Sequence, residues 1–272
     1  MMDHIRKAAV AGSFYAGDRA TLNRDISSFF AASGAPAPIQ AKAIICPHAG
    51  YVYSGRVAAN TMAMAQIPDT VLVIGPNHHG RGRPVALSGA DGWDTPLGPV
   101  PVDKKLAQAL AAASPLFAID DSAHALEHSL EVQVPLLRYR NPDVAIVPLV
   151  IGGVSLDTCR QLGEVIARVL SGETGEILIV ASTDMTHYLS RSQAASQDQL
   201  ALEHVKALDW QGLYRTVVAR DISMCGVLPV VIALVAAVRL GAVRADLVQY
   251  TDSGEVTGDT GQVVGYAGLL IR

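Results

Sequence analysis

Cysteine is scarce in this sequence of 272 residues. Only Cys46, Cys159 and Cys225 occur, and an odd number of widely separated cysteines argues against a disulfide framework and indicates a reducing cytoplasm. Basic tracts are missing as well, and the formal net charge is −4. This charge balance argues against nucleic acid or an anionic membrane surface as a main partner.

Long hydrophobic runs are also missing. The longest one, residues 227–238, is interrupted by Pro229 and falls short of the roughly 20 residues that a membrane span needs. The first fifteen residues contain no apolar segment of the kind found in signal peptides. We therefore expect a cytoplasmic protein that does not cross a membrane.

Apolar residues make up 50% of the chain and charged residues 17%, which is typical of a globular protein with a large core. No linker interrupts the sequence, so residues 1–272 are predicted to form a single domain. Short apolar runs alternate with helical patterns, which predicts an α/β fold with a central, mixed, mostly parallel sheet flanked by helices. Strands are predicted over residues 43–46, 70–74, 84–88, 144–151, 177–181, 247–251 and 262–271. Helices are predicted over residues 18–32, 54–66, 102–113, 124–138, 156–170, 193–218 with a break near 209, and 225–241.

Histidines follow three of the predicted buried strands. His48 comes after the run AIIC, His78 and His79 come after TVLVIGP, and His187 follows EILIVAS together with Asp184. Because loops at the carboxyl ends of parallel strands meet in one crevice, we expect these side chains to lie together. Imidazole is the commonest metal ligand in proteins, so the cluster predicts a metal site. The pattern leaves open whether His78 or His79 is the ligand.

Asp184 and His187 lie three residues apart and can act as a pair. We interpret Asp184 as a carboxylate that orients the His187 imidazole, and His187 as the group that moves protons. The simpler alternative is an aspartate that caps a helical turn beside an incidental histidine. Cys225 lies at the start of the most apolar predicted helix, where a thiolate is stabilised by the helix dipole, so it is a candidate ligand or reactive thiol.

The segment His124-Ala-Leu-Glu127-His128 matches a short pattern of one class of zinc peptidases. On a helix His124 and His128 would lie one turn apart on the same face, with Glu131 adding a further carboxylate. Such a histidine pair arises easily by chance, and the favoured alternative is a solvated face or a set of groups around another metal site.

Several motifs in order along the chain resemble those of the Memo family. They are AVAGSFY at residues 9–15, PHAGY at 47–51, GPNHH at 75–79, EHSLE at 127–131, STDMTH at 182–187, CG at 225–226 and VGYAG at 264–268. They span nearly the whole chain, which makes the match far more specific than any one motif. The Memo family is in turn similar in fold to class III extradiol dioxygenases, which are non-haem iron enzymes with two histidines and a glutamate as ligands.

The resemblance implies that His48, His78 and Cys225 bind the metal, that Asp184 and His187 line the same pocket, and that His187 corresponds to the catalytic histidine of the dioxygenases. Cys225 stands where a dioxygenase has its glutamate, and a soft thiolate favours copper or changes the redox behaviour of iron. Iron (Fe²⁺) is the first expectation for the metal, with copper and zinc as alternatives. The residues expected around these ligands are His79, Glu127, His128 and Tyr51.

The first functional hypothesis is therefore a Memo-like protein with a mononuclear iron or copper site that carries out redox or oxygen-dependent chemistry on an unknown small molecule. The resemblance also implies a prokaryotic setting with a radical-SAM protein and a small Amme-type protein as partners. A second hypothesis is a non-catalytic scaffold whose crevice binds a peptide or a partner protein. A third is a zinc hydrolase centred on His124, Glu127 and His128.

Overall fold

A computed structural model describes residues 3–34 and 37–272 of the chain. Its strands are β1 (Ile5–Arg6), β2 (Ala43–Cys46), β3 (Thr70–Pro76), β4 (Val85–Leu87), β5 (Gly92–Trp93), β6 (Val100–Pro101), β7 (Ala118–Ile119), β8 (Ala145–Ile151), β9 (Ile177–Ser182), β10 (His187–Leu189), β11 (Ala245–Asp252) and β12 (Val263–Ile271). Its helices are α1 (Arg19–Ala31), α2 (Tyr51–Met64), α3 (Lys104–Ala113), α4 (Gln133–Arg140), α5 (Leu156–Leu170), α6 (Arg191–Lys206), α7 (Trp210–Ala219), α8 (Val227–Arg239) and α9 (Gly254–Thr257), with a 3₁₀ turn at Asp121–Ala123.

The main sheet is mixed, as the alternation of strands and helices predicted. Its order is β10-β12-β2-β9-β3-β8-β4-β7, with β11 also paired to β12. The four central strands, β2, β9, β3 and β8, are parallel to one another. On one side β12 pairs antiparallel with β2, and β10 and β11 pair antiparallel with β12. On the other side β4 pairs antiparallel with β8. A small second sheet joins β1, β5 and β6.

The central strands are apolar along their whole length because both faces of the sheet are covered. One core lies between the sheet and the helices α3, α5, α6, α7 and α8, and another lies on the opposite face with α1, α2 and α4. Local signals set several helix starts: the side chains of Asp18, Asp103 and Ser155 each accept a hydrogen bond from a backbone N–H in the first turn. No helix within the described ranges is long and apolar enough to span a membrane.

The predicted helix over residues 124–138 is wrong in its first half. Regular helix begins only at Gln133, and the residues from His124 to Val132 form turns and irregular backbone. Pro135 explains this difference, because proline lacks an N–H and its ring clashes with the preceding turn, so it is tolerated only near a helix start. The irregular backbone has a functional consequence, since it carries Glu127 and His128 into the crevice.

Candidate metal centre

Three side chains from different parts of the chain meet at the carboxyl end of the parallel strands. His48 follows β2 and His78 follows β3, and these strands lie on either side of β9. His128 comes from the irregular segment before α4. Each imidazole offers a nitrogen, and the three nitrogens lie within 4.8 Å of one another. Among the described residues these are the histidines, cysteines and carboxylates that cluster tightly enough to hold one metal ion.

The irregular segment reaches the end of β3 because Gly75 has no side chain. A Cβ at this position would lie 2.6 Å from Leu130 Cδ1 and 2.7 Å from Ser129 Oγ. The Ser129 hydroxyl donates to the Pro76 carbonyl at 3.0 Å, which joins the two loops directly. The Gly-Pro pair in the sequence therefore permits the close approach that brings His78 and His128 together.

The hydrogen-bond network assigns the tautomer of His48, which is 1% exposed. Ser182 donates its hydroxyl proton to the Ser129 carbonyl at 2.6 Å and accepts from the Gln133 amide at 3.0 Å. The contact of 2.9 Å between His48 Nδ1 and Ser182 Oγ must therefore be a donation from the imidazole. His48 Nε2 is therefore the nitrogen that carries the lone pair.

Glu127 fixes the second imidazole in the same way. One carboxylate oxygen accepts from His78 Nδ1 at 2.9 Å, and the other accepts from the His78 backbone N–H at 2.7 Å. The Ser129 backbone N–H donates to Glu127 at 2.8 Å as well. Burial opposes ionisation of Glu127, but these hydrogen bonds outweigh it and lower its pKa. An imidazole that donates one N–H to a carboxylate is the common arrangement at metal centres, because the other nitrogen becomes a better ligand.

His128 completes the cluster by stacking. Its ring lies 4.5 Å from the His78 ring at an interplanar angle of 22°, and 5.5 Å from His48 nearly perpendicular to it. The Phe14 ring also contacts His128, at a centroid distance of 4.8 Å. The His128 side chain is 18% exposed and the His78 side chain is 30% exposed, so the cluster opens to solvent at these two rings.

The protonation states of the cluster suit metal binding. Burial, followed by the charges of neighbouring histidines, lowers the pKa of His48 well below its usual value and lowers that of His128 to about 4. Both rings are therefore neutral near pH 7 in the metal-free protein, and a neutral imidazole is the form that binds metals. The donor set suits iron, copper or zinc.

Cys225 lies beside the cluster, and the three-imidazole group does not include it. Its Sγ is 3.2 Å from His48 Nε2 and accepts from the Asp184 backbone N–H at 3.3 Å. Burial, reinforced by the Asp184 carboxylate, raises the pKa of this thiol to about 12, so the thiol stays protonated and donates a hydrogen bond to His48 Nε2. The backbone at Gly226 lies this close to the end of β9 because Gly226 has no side chain; a Cβ there would lie 2.3 Å from the Ser182 carbonyl oxygen.

The predicted pairing of Asp184 with His187 is corrected by the structure. Asp184 accepts from the His48 backbone N–H at 2.7 Å, so it shapes the loop of a metal-binding candidate. His187 is oriented by Ser223 instead: Nδ1 donates to the Ser223 carbonyl at 3.0 Å, and its backbone N–H donates to the Ser223 hydroxyl at 2.8 Å. This leaves His187 Nε2 as the nitrogen that can accept a proton.

The other sequence candidates take different positions. His79 is exposed and is not part of the three-imidazole group, which favours His78 over His79 as the ligand. Tyr51 is buried, and its hydroxyl donates to the Val132 carbonyl at 2.7 Å. His124 is buried against Trp93 with Nε2 3.1 Å from the Ala86 carbonyl oxygen, and it does not face His128 across a helix turn. The zinc site of the third hypothesis, at His124, Glu127 and His128, is therefore not formed among the residues that the structure describes.

Comparison with known families identifies the chain. A family model described as "Memo-like protein" matches residues 6–270. The chain belongs to the Memo family. A MEMO1 family protein of Methanosarcina barkeri is 40% identical over 272 residues, covering 98% of this chain and 100% of the relative. A MEMO1 family protein of Aquifex aeolicus is 38% identical over 267 residues, covering 98% of each.

A solved structure supports the fold of this Memo family protein. The crystal structure of an uncharacterized protein from Escherichia coli K12 matches with a TM-score of 0.61 at 17% identity, covering 86% of this chain and all of the other. At this identity the match shows the shared fold alone.

Sequence reasoning missed the roles of several residues in this Memo family site. His128 was expected around the ligands, yet its nitrogen lies within 4.8 Å of those of His48 and His78. Pro135 could have shown that the EHSLE motif precedes its helix. Ser182 orients His48 through its hydroxyl, and Ser223 orients His187 through its carbonyl and its hydroxyl. Neither serine stands in a sequence pattern that distinguishes it from other serines.

Proposed function

We propose that this Memo family protein holds one redox-active metal ion at His48, His78 and His128 and uses it for oxygen-dependent chemistry on a small molecule. The observation that carries the proposal is the meeting of three imidazole nitrogens within 4.8 Å, two of them on rings whose other nitrogen is tied by a hydrogen bond. Pre-set tautomers of this kind serve metal binding, because they leave the lone pair on the other ring nitrogen, which can bind an ion. Iron is our first choice of metal and copper the redox-active alternative; zinc would suit the same imidazoles but would not supply redox chemistry.

An iron or copper ion at this position would supply one-electron redox chemistry and open positions for a substrate. The protein groups around it have separable roles. Glu127 and Ser182 hold two of the imidazoles, and Asp184 holds the loop of His48. His187 has Nδ1 committed to Ser223, so its Nε2 takes up and returns the proton that a reaction of this kind releases.

Cys225 has a role of its own in the proposed site. The family resemblance implied it as a ligand, and its thiol is already 3.2 Å from His48 Nε2. Loss of its proton on metal binding would make it a thiolate donor, which would favour copper or zinc over iron. We therefore treat the three imidazoles as the primary set and Cys225 as the group that tunes which metal is held.

The test is metal analysis of untagged protein purified without oxygen and then supplied with iron, copper or zinc. We expect near-stoichiometric binding in the wild type and a loss of at most one tenth in the matched control His79→Ala, which alters the exposed neighbour of a ligand. His48→Ala and His78→Ala should lose most of the metal. A change in the electron paramagnetic resonance spectrum on exposure to air would support redox chemistry. Protein that stays empty with every metal would overturn the proposal.

A further inference from the structure

We infer that the N-terminal strap, residues 5–15, positions Glu127 and His128 in the metal centre, with Arg6 and Phe14 as its positioning residues. This inference rests on the proposed function and deepens it. The strap is remote in sequence from every metal-binding candidate, and it belongs to the small sheet through β1. Its contacts nevertheless converge on the irregular segment of residues 124–131.

Arg6 contacts both ends of that segment through one planar group. Its Nε donates to the His124 carbonyl at 2.9 Å, one Nη donates to the Glu127 carbonyl at 2.8 Å, and the other Nη pairs with the Glu131 carboxylate. The guanidinium is stacked 4.3 Å from the Trp93 ring and is 7% exposed as a residue. Because buried carbonyls outside regular structure need a donor, this rigid fork sets the spacing of the segment.

Glu131 anchors the strap from the other side. Its carboxylate accepts from the backbone N–H groups of Ala9 and Val10 at 2.8 and 3.0 Å and from the Tyr15 hydroxyl at 2.7 Å. The strap is therefore hydrogen-bonded along its length, and its path past the metal centre is fixed.

Phe14 is the point at which the strap touches the metal centre. Its ring lies 4.8 Å from that of His128, which also stacks on His78, so the imidazole is held by rings from two directions. The Phe14 carbonyl accepts from the Tyr51 backbone N–H at 2.7 Å, at the start of the helix that follows the His48 loop. One residue thus links the third imidazole to the loop of the first.

The experiment uses Co²⁺ as a probe, because its visible absorption reports the ligands and geometry of the bound ion. Co²⁺ affinity and spectrum are measured for the full-length wild type, Phe14→Leu, Phe14→Tyr, Arg6→Lys and Tyr15→Phe. We expect Phe14→Leu and Arg6→Lys to weaken Co²⁺ binding by about 10- to 100-fold, the usual effect of losing a group that orients a ligand, and to change the spectrum. Phe14→Tyr keeps the ring and should retain the wild-type spectrum.

Tyr15→Phe is the matched control, because it removes a donor to Glu131 while leaving the Arg6 and Phe14 contacts in place. It should leave Co²⁺ affinity within about 3-fold of wild type, well below the loss expected for an orienting group. Wild-type affinity and spectrum in both Phe14→Leu and Arg6→Lys would overturn the inference while the proposed function stands. Should Arg6→Lys fail to fold, the Phe14 pair decides alone. Wild-type protein that binds no Co²⁺ would overturn both proposals.

Discussion

Glu127 and Glu131 are four residues apart and almost fully buried, and yet they have opposite surroundings. Glu131 is paired with the guanidinium of Arg6 and surrounded by three further donors from the N-terminal strap. Glu127 accepts from two backbone N–H groups and from the His78 imidazole. One carboxylate is therefore neutralised by a permanent cation, and the other is directed at the metal centre.

This difference shows how one short segment can serve folding and function separately. A buried ion pair that is fully hydrogen-bonded contributes little over an apolar pair, but it is costly to break, because the remaining charge stays buried. Glu127 instead has its strongest partner on a ring whose far nitrogen is available to a metal, so a bound ion would supply the positive charge. We therefore expect loss of Glu131 to be felt in stability and loss of Glu127 in metal affinity.

The largest effect is expected for Glu131→Gln, which leaves the Arg6 charge buried without its partner. The free energy of unfolding should fall by about 3–5 kcal/mol. Urea denaturation of the metal-free protein measures this loss. Glu173→Gln is a suitable control, since Glu173 meets the exposed Lys105 at 3.7 Å and such surface pairs contribute less than about 1 kcal/mol. Equal losses in the two variants would contradict the structural role of Glu131.

Metal loading should stabilise the wild type by less than the free energy that Glu131→Gln removes. An ion at about 100 times its dissociation constant raises the free energy of unfolding by about 2.7 kcal/mol when it binds only the folded state. Zn²⁺ is the convenient probe because it does not change oxidation state. The same titration with His48→Ala should give no stabilisation, because this variant lacks one of the three nitrogens; a stabilisation equal to that of the wild type would place the ion elsewhere.

Glu127→Gln should lower metal affinity by about 10- to 100-fold, which corresponds to about 1.4–2.8 kcal/mol of binding free energy. The amide keeps the size of the side chain but loses the charge that strengthens His78 as a ligand. Its unfolding free energy without metal should fall by less than that of Glu131→Gln. Calorimetric titration with Zn²⁺ gives the affinity, and unchanged binding would show that Glu127 only shapes the loop.

Much of the fold could be predicted because local patterns agree with the tertiary structure there. The strands ending before His48, His78 and Asp184 are continuous apolar runs, and a parallel sheet buried on both faces favours such runs. Helix α5 matches its predicted bounds because Ser155 caps it and its apolar residues recur at helical spacing. The meeting of strand ends at one edge of the sheet then follows from topology alone.

The site was less predictable because its contacts join segments that are distant in sequence. The carbonyl of Ser223 orients His187, and a backbone carbonyl carries no signature of its residue type. The irregular segment of residues 124–131 lies before Pro135, and two of its carbonyls accept hydrogen bonds from Arg6, more than a hundred residues earlier. The spacing of His124 and His128 therefore led to a wrong helix prediction, since the backbone there is held by long-range hydrogen bonds.

The smallest effect is expected for Tyr15→Phe, which removes one hydroxyl donor from Glu131. Burial and the neighbouring carboxylate raise the pKa of Tyr15, so this hydroxyl is a donor throughout the physiological range. The free energy of unfolding should fall by about 1.5 kcal/mol, at the low end for a hydrogen bond to a charged group, because Glu131 keeps Arg6 and two backbone donors. Zn²⁺ affinity should not change. A loss of affinity without a loss of stability would mean that Glu131 also serves the metal centre, and the two carboxylates would then act as one unit.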